Sequence, residues 1–179
     1  MDASRDRSPG REMTHDAPES PRTTTFNILF VCTGNTCRSP MAEAIAREAV
    51  RGRGWKNVEV ASAGLSAHAG DPASPEAVTV ARRHGVDVAA HTSRRLTPEL
   101  VDWADVVLAM GQSHLAALNR MGGRDKSSLL GSFAAGGPGR GPAVRDPFGG
   151  GEAVYEETFL ELTELVDASL DRLAPILHP

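Results

Sequence analysis

The chain has 179 residues, 40% of them hydrophobic and 23% charged, with a formal net charge of -4, which suits one ordinary soluble domain with a hydrophobic core. Mild acidity argues against a nucleic-acid partner, no apolar run is long enough to span a bilayer, and the N-terminus lacks the apolar region of an export signal. The 2 cysteines share one short stretch and make no disulfide framework, so a reducing cytoplasm is expected; the histidines show no metal-ligand spacing, and neither metal nor cofactor is expected.

Residues 1–25, rich in Arg, Asp, Ser, Thr and Pro without periodicity, are expected to be a disordered extension, which leaves 26–179 as the folded domain. Phe26 to Val31 is an apolar run that suits a strand covered on both faces. The chain then turns through Gly34 and Asn35, residue types that accept positive φ. Ser39 can cap a helix, Pro40 suits its first position, and Met41, Ile45 and Ala49 follow at helical spacing. Val58–Ser62 alternates as a short strand, and Ala63 to Pro72 is a loop. Ser74-Pro75-Glu76 opens a second helix that Gly85 ends. His91 to Leu96 is irregular, and Thr97-Pro98-Glu99 opens a short helix to about Ala104. Asp105–Met110 is a third strand, Gln112–Met121 a helix, and Ser128–Phe133 a short fourth strand. Ala134–Arg145 is Gly/Pro-rich and expected to be a mobile surface loop. It ends at Asp146-Pro147-Phe148-Gly149-Gly150, before a long helix from about Glu152 to Leu173 with Leu162, Leu165, Val166 and Leu170 among its apolar residues. Strands alternating with helices predict an α/β fold with a parallel sheet and helices on both faces, binding its ligand at the carboxyl ends of the strands.

The chemistry concentrates in the first turn after the first strand. Strand, tight loop and helix make an anion site, because loop N–H groups converge and the helix dipole adds partial positive charge. Cys32 stands at the strand end and Arg38 where the loop closes. Donors and a guanidinium favour the charged form of a thiol, Arg38 can grip two phosphate oxygens in a fork, and a thiolate under a phosphoryl group is a nucleophile in position. The spacing of Cys32 and Arg38 alone is common and equally describes a buried Cys and a surface Arg; the strand, the Gly-Asn turn, the Ser-Pro helix start and Cys37 make it specific.

Cys32-Thr33-Gly34-Asn35-Thr36-Cys37-Arg38-Ser39-Pro40 resembles the signature of the low-molecular-weight protein tyrosine phosphatases, and within them the bacterial protein-arginine-phosphatase branch. The resemblance covers about Asn27 to Leu173. It implies a three-layer α/β/α fold around a four-stranded parallel sheet, flavodoxin-like in type. It implies a phosphocysteine intermediate on Cys32, and phosphate binding by Thr33, Gly34, Asn35, Thr36, Cys37, Arg38 and Ser39. Asp-Pro in a loop often just starts a turn, but the resemblance makes Asp146 the general acid. It also implies that Asn35, Ser62 and His91 hold the loop in shape, and that Cys37 can form a reversible disulfide with Cys32. Ser39 reads both as helix cap and as donor to the Cys32 sulfur. The expected partners are phosphorylated proteins, with the chain monomeric or weakly dimeric.

Two other readings use the same scaffold. Arsenate reductases share the start of the motif but continue with Gln rather than Pro40-Met41 and need downstream cysteines, and no Cys follows Cys37. A non-catalytic phosphate-binding module would have lost Cys32 or Arg38. On substrate, phosphotyrosine enzymes of the family usually carry an aliphatic residue where Thr36 stands and often aromatic pairs after the Asp-Pro. Thr36 and Phe148-Gly149-Gly150 resemble the arginine-phosphatase branch, which makes phosphoarginine the favoured substrate and phosphotyrosine the alternative.

Overall fold

The structure is a computed structural model that describes residues 24–177. Residues 1–23 of the expected N-terminal extension lie outside the described residues. Strands β1 (Phe26–Cys32), β2 (Val58–Gly64), β3 (Val106–Ala109) and β4 (Ser127–Leu129) pair in parallel in the order β2-β1-β3-β4. The helices are α1 (Arg38–Gly52), α2 (Pro75–Arg83), α3 (Pro98–Trp103), α4 (Gln112–Arg120), α5 (Leu130–Ala134) and α6 (Glu152–Leu177).

β1 is apolar on both sides because both sides are covered. Ile28, Phe30 and Cys32 face a core shared with α1, α2 and α6. Leu29 and Val31 face a second core built with α3 and α4, through Val101 and Leu118. This alternation is the period of a strand, and it makes the three-layer α/β/α architecture. α6 closes the larger core with Tyr155, Phe159, Leu162, Val166, Leu170 and Leu173, all buried at helical spacing. The strand order reverses direction at β1: the chain leaves it toward β2 and returns past it to β3. That switch point opens a crevice at the carboxyl ends of β1 and β3.

Several elements depart from the sequence expectation. The fourth strand is only Ser127–Leu129, since its partner offers only Val107 to Ala109. From Leu130 the chain turns into α5, where a Cβ on Gly131 would stand 2.2 Å from the Pro142 carbonyl oxygen. The Gly/Pro-rich segment after α5 is therefore irregular but seated: a Cβ on Gly141 would meet the Gly131 oxygen at 2.0 Å. α1 begins at Arg38, with Cys37 at the N-cap and no side-chain cap. Ser39 does not cap it, because it is already the second residue of the helix; its hydroxyl is engaged by Cys32 and Asn35 instead. α6 runs on to Leu177 with Pro175 in its last turn, where the ring forgoes one i→i−4 hydrogen bond close to the helix end. The stretch around His91–Leu96 has no regular element, yet Gly64 N–H donates to the Arg94 carbonyl and Leu96 N–H to the Gly64 carbonyl, which ties it to the end of β2.

Candidate active site

β1 delivers Cys32 to the switch point, 3% exposed. The chain then makes a tight loop before α1. Asn35 takes the left-handed conformation, φ 56°, which costs energy for any residue with a Cβ and persists where its surroundings over-determine it. Here they do. Asn35 is fully buried; its Nδ2 donates to Ser39 Oγ at 2.8 Å and Ser62 Oγ at 2.9 Å. Its Oδ1 accepts from Arg94 N–H at 2.9 Å, and its carbonyl accepts from His91 Nε2 at 2.8 Å. The Ser62 hydroxyl in turn donates to the Glu43 carboxylate.

The loop lies so close to the end of β2 that only glycine fits there. A Cβ on Gly64 would come within 2.5 Å of the Thr33 carbonyl oxygen and 2.8 Å of Asn35 N, both backbone atoms that cannot swing aside. Gly64→Ala is expected to destabilise the fold by about 1–3 kcal/mol and to depress activity with it, because the displaced atoms belong to the loop. Urea unfolding with a parallel rate measurement checks this; wild-type values for both would show that the loop has slack.

The Cys32 sulfur is faced by donors. Ser39 Oγ stands 2.9 Å away and Asn35 N–H 3.3 Å away. Since Asn35 Nδ2 already donates to Ser39, the Ser39 hydroxyl proton is free for the sulfur. Arg38 is buried at the start of α1, its Nη1 donating to the Val144 carbonyl at 3.2 Å and its Nη2 paired with Asp146 Oδ2 at 3.0 Å. Val144 N–H in turn donates to the Met110 carbonyl at 2.8 Å, just past β3, so the Asp146 turn is hung on the other side of the switch point. Asp146 is half-exposed and accepts from Phe148 N–H at 3.1 Å, while Pro147 stiffens the turn. Cys32, Thr33, Gly34, Thr36, Cys37, Arg38, Asp146 and Phe148 line one cavity of about 220 Å³, with Phe148 80% exposed at its edge.

The structure thus brings together all the residues that the sequence singled out, though not all in the same shell. Asn35, Ser39, Ser62 and His91 lie behind the loop rather than in the cavity. Cys37 reaches the cavity wall, and its sulfur also lies 3.1 Å from Tyr155 Oη and 3.6 Å from Ser74 Oγ. Burial, then the bond to Cys37, pushes the Tyr155 phenol up to about 12. Sequence reasoning missed Tyr155, Glu43, Arg94 and His114. His114, 3% exposed, bonds Thr33 Oγ1 through Nε2 at 2.8 Å. Burial first, and Arg38 second, pull its pKa down to about 4, with Asp146 opposing. Nothing local marks these residues; each is a single polar side chain in a helix or loop whose partner is distant in sequence. Among the described residues no cluster of His, Cys, Asp and Glu could hold a metal ion, and no helix is long and apolar enough to cross a membrane.

A family model described as low molecular weight phosphotyrosine protein phosphatase matches residues 27–175. The protein-arginine-phosphatase of Geobacillus stearothermophilus is 41% identical over 150 residues, 83% of this chain and 96% of the relative. Among solved structures, a cysteine-to-serine mutant of the arginine phosphatase YwlE, with a phosphorylated active-site serine, superposes with a TM-score of 0.77 at 39% identity, covering 83% of this chain and 95% of that one. The low molecular weight protein tyrosine phosphatase from T. tengcongensis superposes with a TM-score of 0.77 at 40% identity, covering 83% and 100%. With the match spanning the sheet, the loop and the Asp146 turn, the chain belongs to the low molecular weight phosphotyrosine protein phosphatase family.

Proposed function

We propose that residues 26–179 form a phosphatase domain that removes phosphoryl groups from arginine side chains of proteins through a phosphocysteine on Cys32. The observation that carries this reading is the convergence of the Cys32 sulfur, the Arg38 guanidinium and the Asp146 carboxylate on one cavity. In the first step the sulfur attacks phosphorus, the P–N bond breaks, and Asp146 gives its proton to the leaving nitrogen. Arg38, held by Val144 through Nη1, turns Nη2 from Asp146 to a phosphoryl oxygen. In the second step the Asp146 carboxylate takes a proton from water, the water oxygen attacks phosphorus, and the P–S bond breaks. The departing thiolate is received by the Ser39 hydroxyl and Asn35 N–H.

Relatives named for phosphoarginine and for phosphotyrosine both match this chain, and Thr36 favours the first. Its side chain stands on the cavity wall, where a hydroxyl can bond a polar guanidino group or hold the attacking water. An isoleucine there would pack against a phenyl ring. Thr36→Ile is therefore expected to move the ratio of kcat/KM from phosphoarginine toward phosphotyrosine by about tenfold, the scale of one buried hydrogen bond lost. The wild-type enzyme, assayed side by side on phosphoarginine and phosphotyrosine peptides, should prefer the former. A wild-type preference for phosphotyrosine, or an unchanged ratio in the variant, contradicts the substrate assignment while leaving the phosphatase chemistry standing. The exposed Phe148 ring supports the phosphotyrosine reading as the second.

Both cysteines are free thiols. Hydrogen peroxide is expected to convert the Cys32 thiolate to a sulfenic acid, which Cys37 resolves to a disulfide with loss of water. Inactivation should then be reversed by added thiol in the wild type and incompletely in Cys37→Ser. Equal recovery of both proteins would remove Cys37 from this role.

A further inference from the structure

His114 does not line the cavity, but it bonds a side chain that does. It stands near the start of α4, buried, with Nε2 2.8 Å from Thr33 Oγ1. Thr33 follows Cys32 directly and forms part of the cavity wall. The other ring nitrogen, Nδ1, is buried without a partner, beside Gly111, whose missing Cβ would stand 3.5 Å from it. The depressed pKa keeps the ring neutral at physiological pH, so it carries a single N–H, and that proton has two possible sites. On Nδ1 it would be a buried donor with nothing to donate to, and Thr33 would have to donate its own proton to Nε2. On Nε2 it donates to Thr33 Oγ1, and what goes unpaired is an acceptor lone pair. Orphaned buried N–H groups are rarer than under-satisfied acceptors.

We propose that His114 is a positioning residue of the phosphoryl site: its Nε2–H donates to Thr33 Oγ1, which turns the Thr33 hydroxyl proton into the cavity, toward an oxygen of the bound phosphoryl group. The hydroxyl then adds a neutral donor to the loop N–H groups and the Arg38 fork. Thr33 has one proton, and only a partner that donates to its oxygen leaves that proton for the ligand. The assignment deepens the phosphatase reading and rests on it for the identity of the ligand, though not for the tautomer.

The test uses the full chain and inorganic phosphate, so that no turnover or choice of substrate is involved. Thr33→Val is expected to weaken phosphate about fivefold, the scale of one neutral hydrogen bond. His114→Leu, which leaves the hydroxyl present but unaimed, should weaken it by about threefold. The double variant should be no weaker than Thr33→Val alone, because the two residues act as a unit. His114→Gln, with an amide N–H near the place of Nε2, should restore most of the His114→Leu loss, and Thr33→Ser should bind as the wild type does. Independently, the 15N spectrum of histidine-labelled protein should place the His114 proton on Nε2. Losses that multiply in the double variant, or a proton found on Nδ1, overturn the proposal. If His114→Leu does not fold, the tautomer and the Gln variant decide. A wild type that binds no phosphate while the proton sits on Nε2 would instead count against the phosphatase reading.

Discussion

Cys32→Ser is expected to abolish turnover and leave the fold unchanged. The sulfur sits at the end of a buried strand, and an oxygen in its place still meets Ser39 Oγ and Asn35 N–H, so packing is conserved. The chemistry is not, because a serine hydroxyl is hardly ionised at neutral pH and its oxygen is a far poorer leaving group than a thiolate in the second step. The loss should be about 10⁴-fold or more, the scale seen when an enzyme's nucleophile is removed. Circular dichroism and the thermal midpoint should match the wild type. Activity within about tenfold of wild type, against that 10⁴-fold expectation, would exclude Cys32 as nucleophile.

Asp146→Asn is expected to slow the first step, release of the leaving group in a single turnover, by about 10²–10⁴ for a leaving group that needs a proton, and far less for nitrophenyl phosphate, whose leaving group departs as an anion. The geometry makes this a clean comparison. An Asn oxygen can still accept from Arg38 Nη2, and Nη1 stays on the Val144 carbonyl, so the phosphate clamp is not dismantled with the acid. The carboxylate is half-exposed, and little stability depends on it. Equal losses of that first step for both leaving groups would mean that Asp146 shapes the site without supplying the proton.

What the sequence made legible was the part whose causes are local. β1, the Gly34-Asn35 turn and α1 follow one another without interruption, and the residues that give the loop its chemistry are the residues that give it its shape. The layer order follows from strands alternating with helices. The boundary at Leu129–Leu130 was not legible, because Ser127–Phe133 suits a strand or a helix equally and the decision falls to the length of β3 and to Gly131 packing on Gly141 and Pro142. Ser39 shows the same limit from the other side. As a residue before Pro it reads as a cap, but in the fold α1 already starts at Arg38, with Cys37 at the N-cap, and the Ser39 hydroxyl serves Cys32 and Asn35 instead. At Asp146 the Asp-Pro pair and the family pattern were legible, whereas its contact with Arg38 was not, since that depends on Val144 being hung from Met110. His114 and Tyr155 carry no local signal at all: they reach the loop across 81 and 118 residues.

The central claim is that phosphorus passes through sulfur. Purified wild-type protein mixed with excess phosphoarginine peptide, quenched in acid during turnover and digested, should give a Cys32-containing peptide carrying one phosphoryl group, analysed by mass spectrometry under conditions that preserve the P–S bond. Asp146→Asn with an activated aryl phosphate should accumulate more of it, because that leaving group needs no proton in the first step while the second step has lost its base. Steady turnover with no phosphorylated Cys32 in either protein, or with the phosphoryl group found on another residue, would contradict the account.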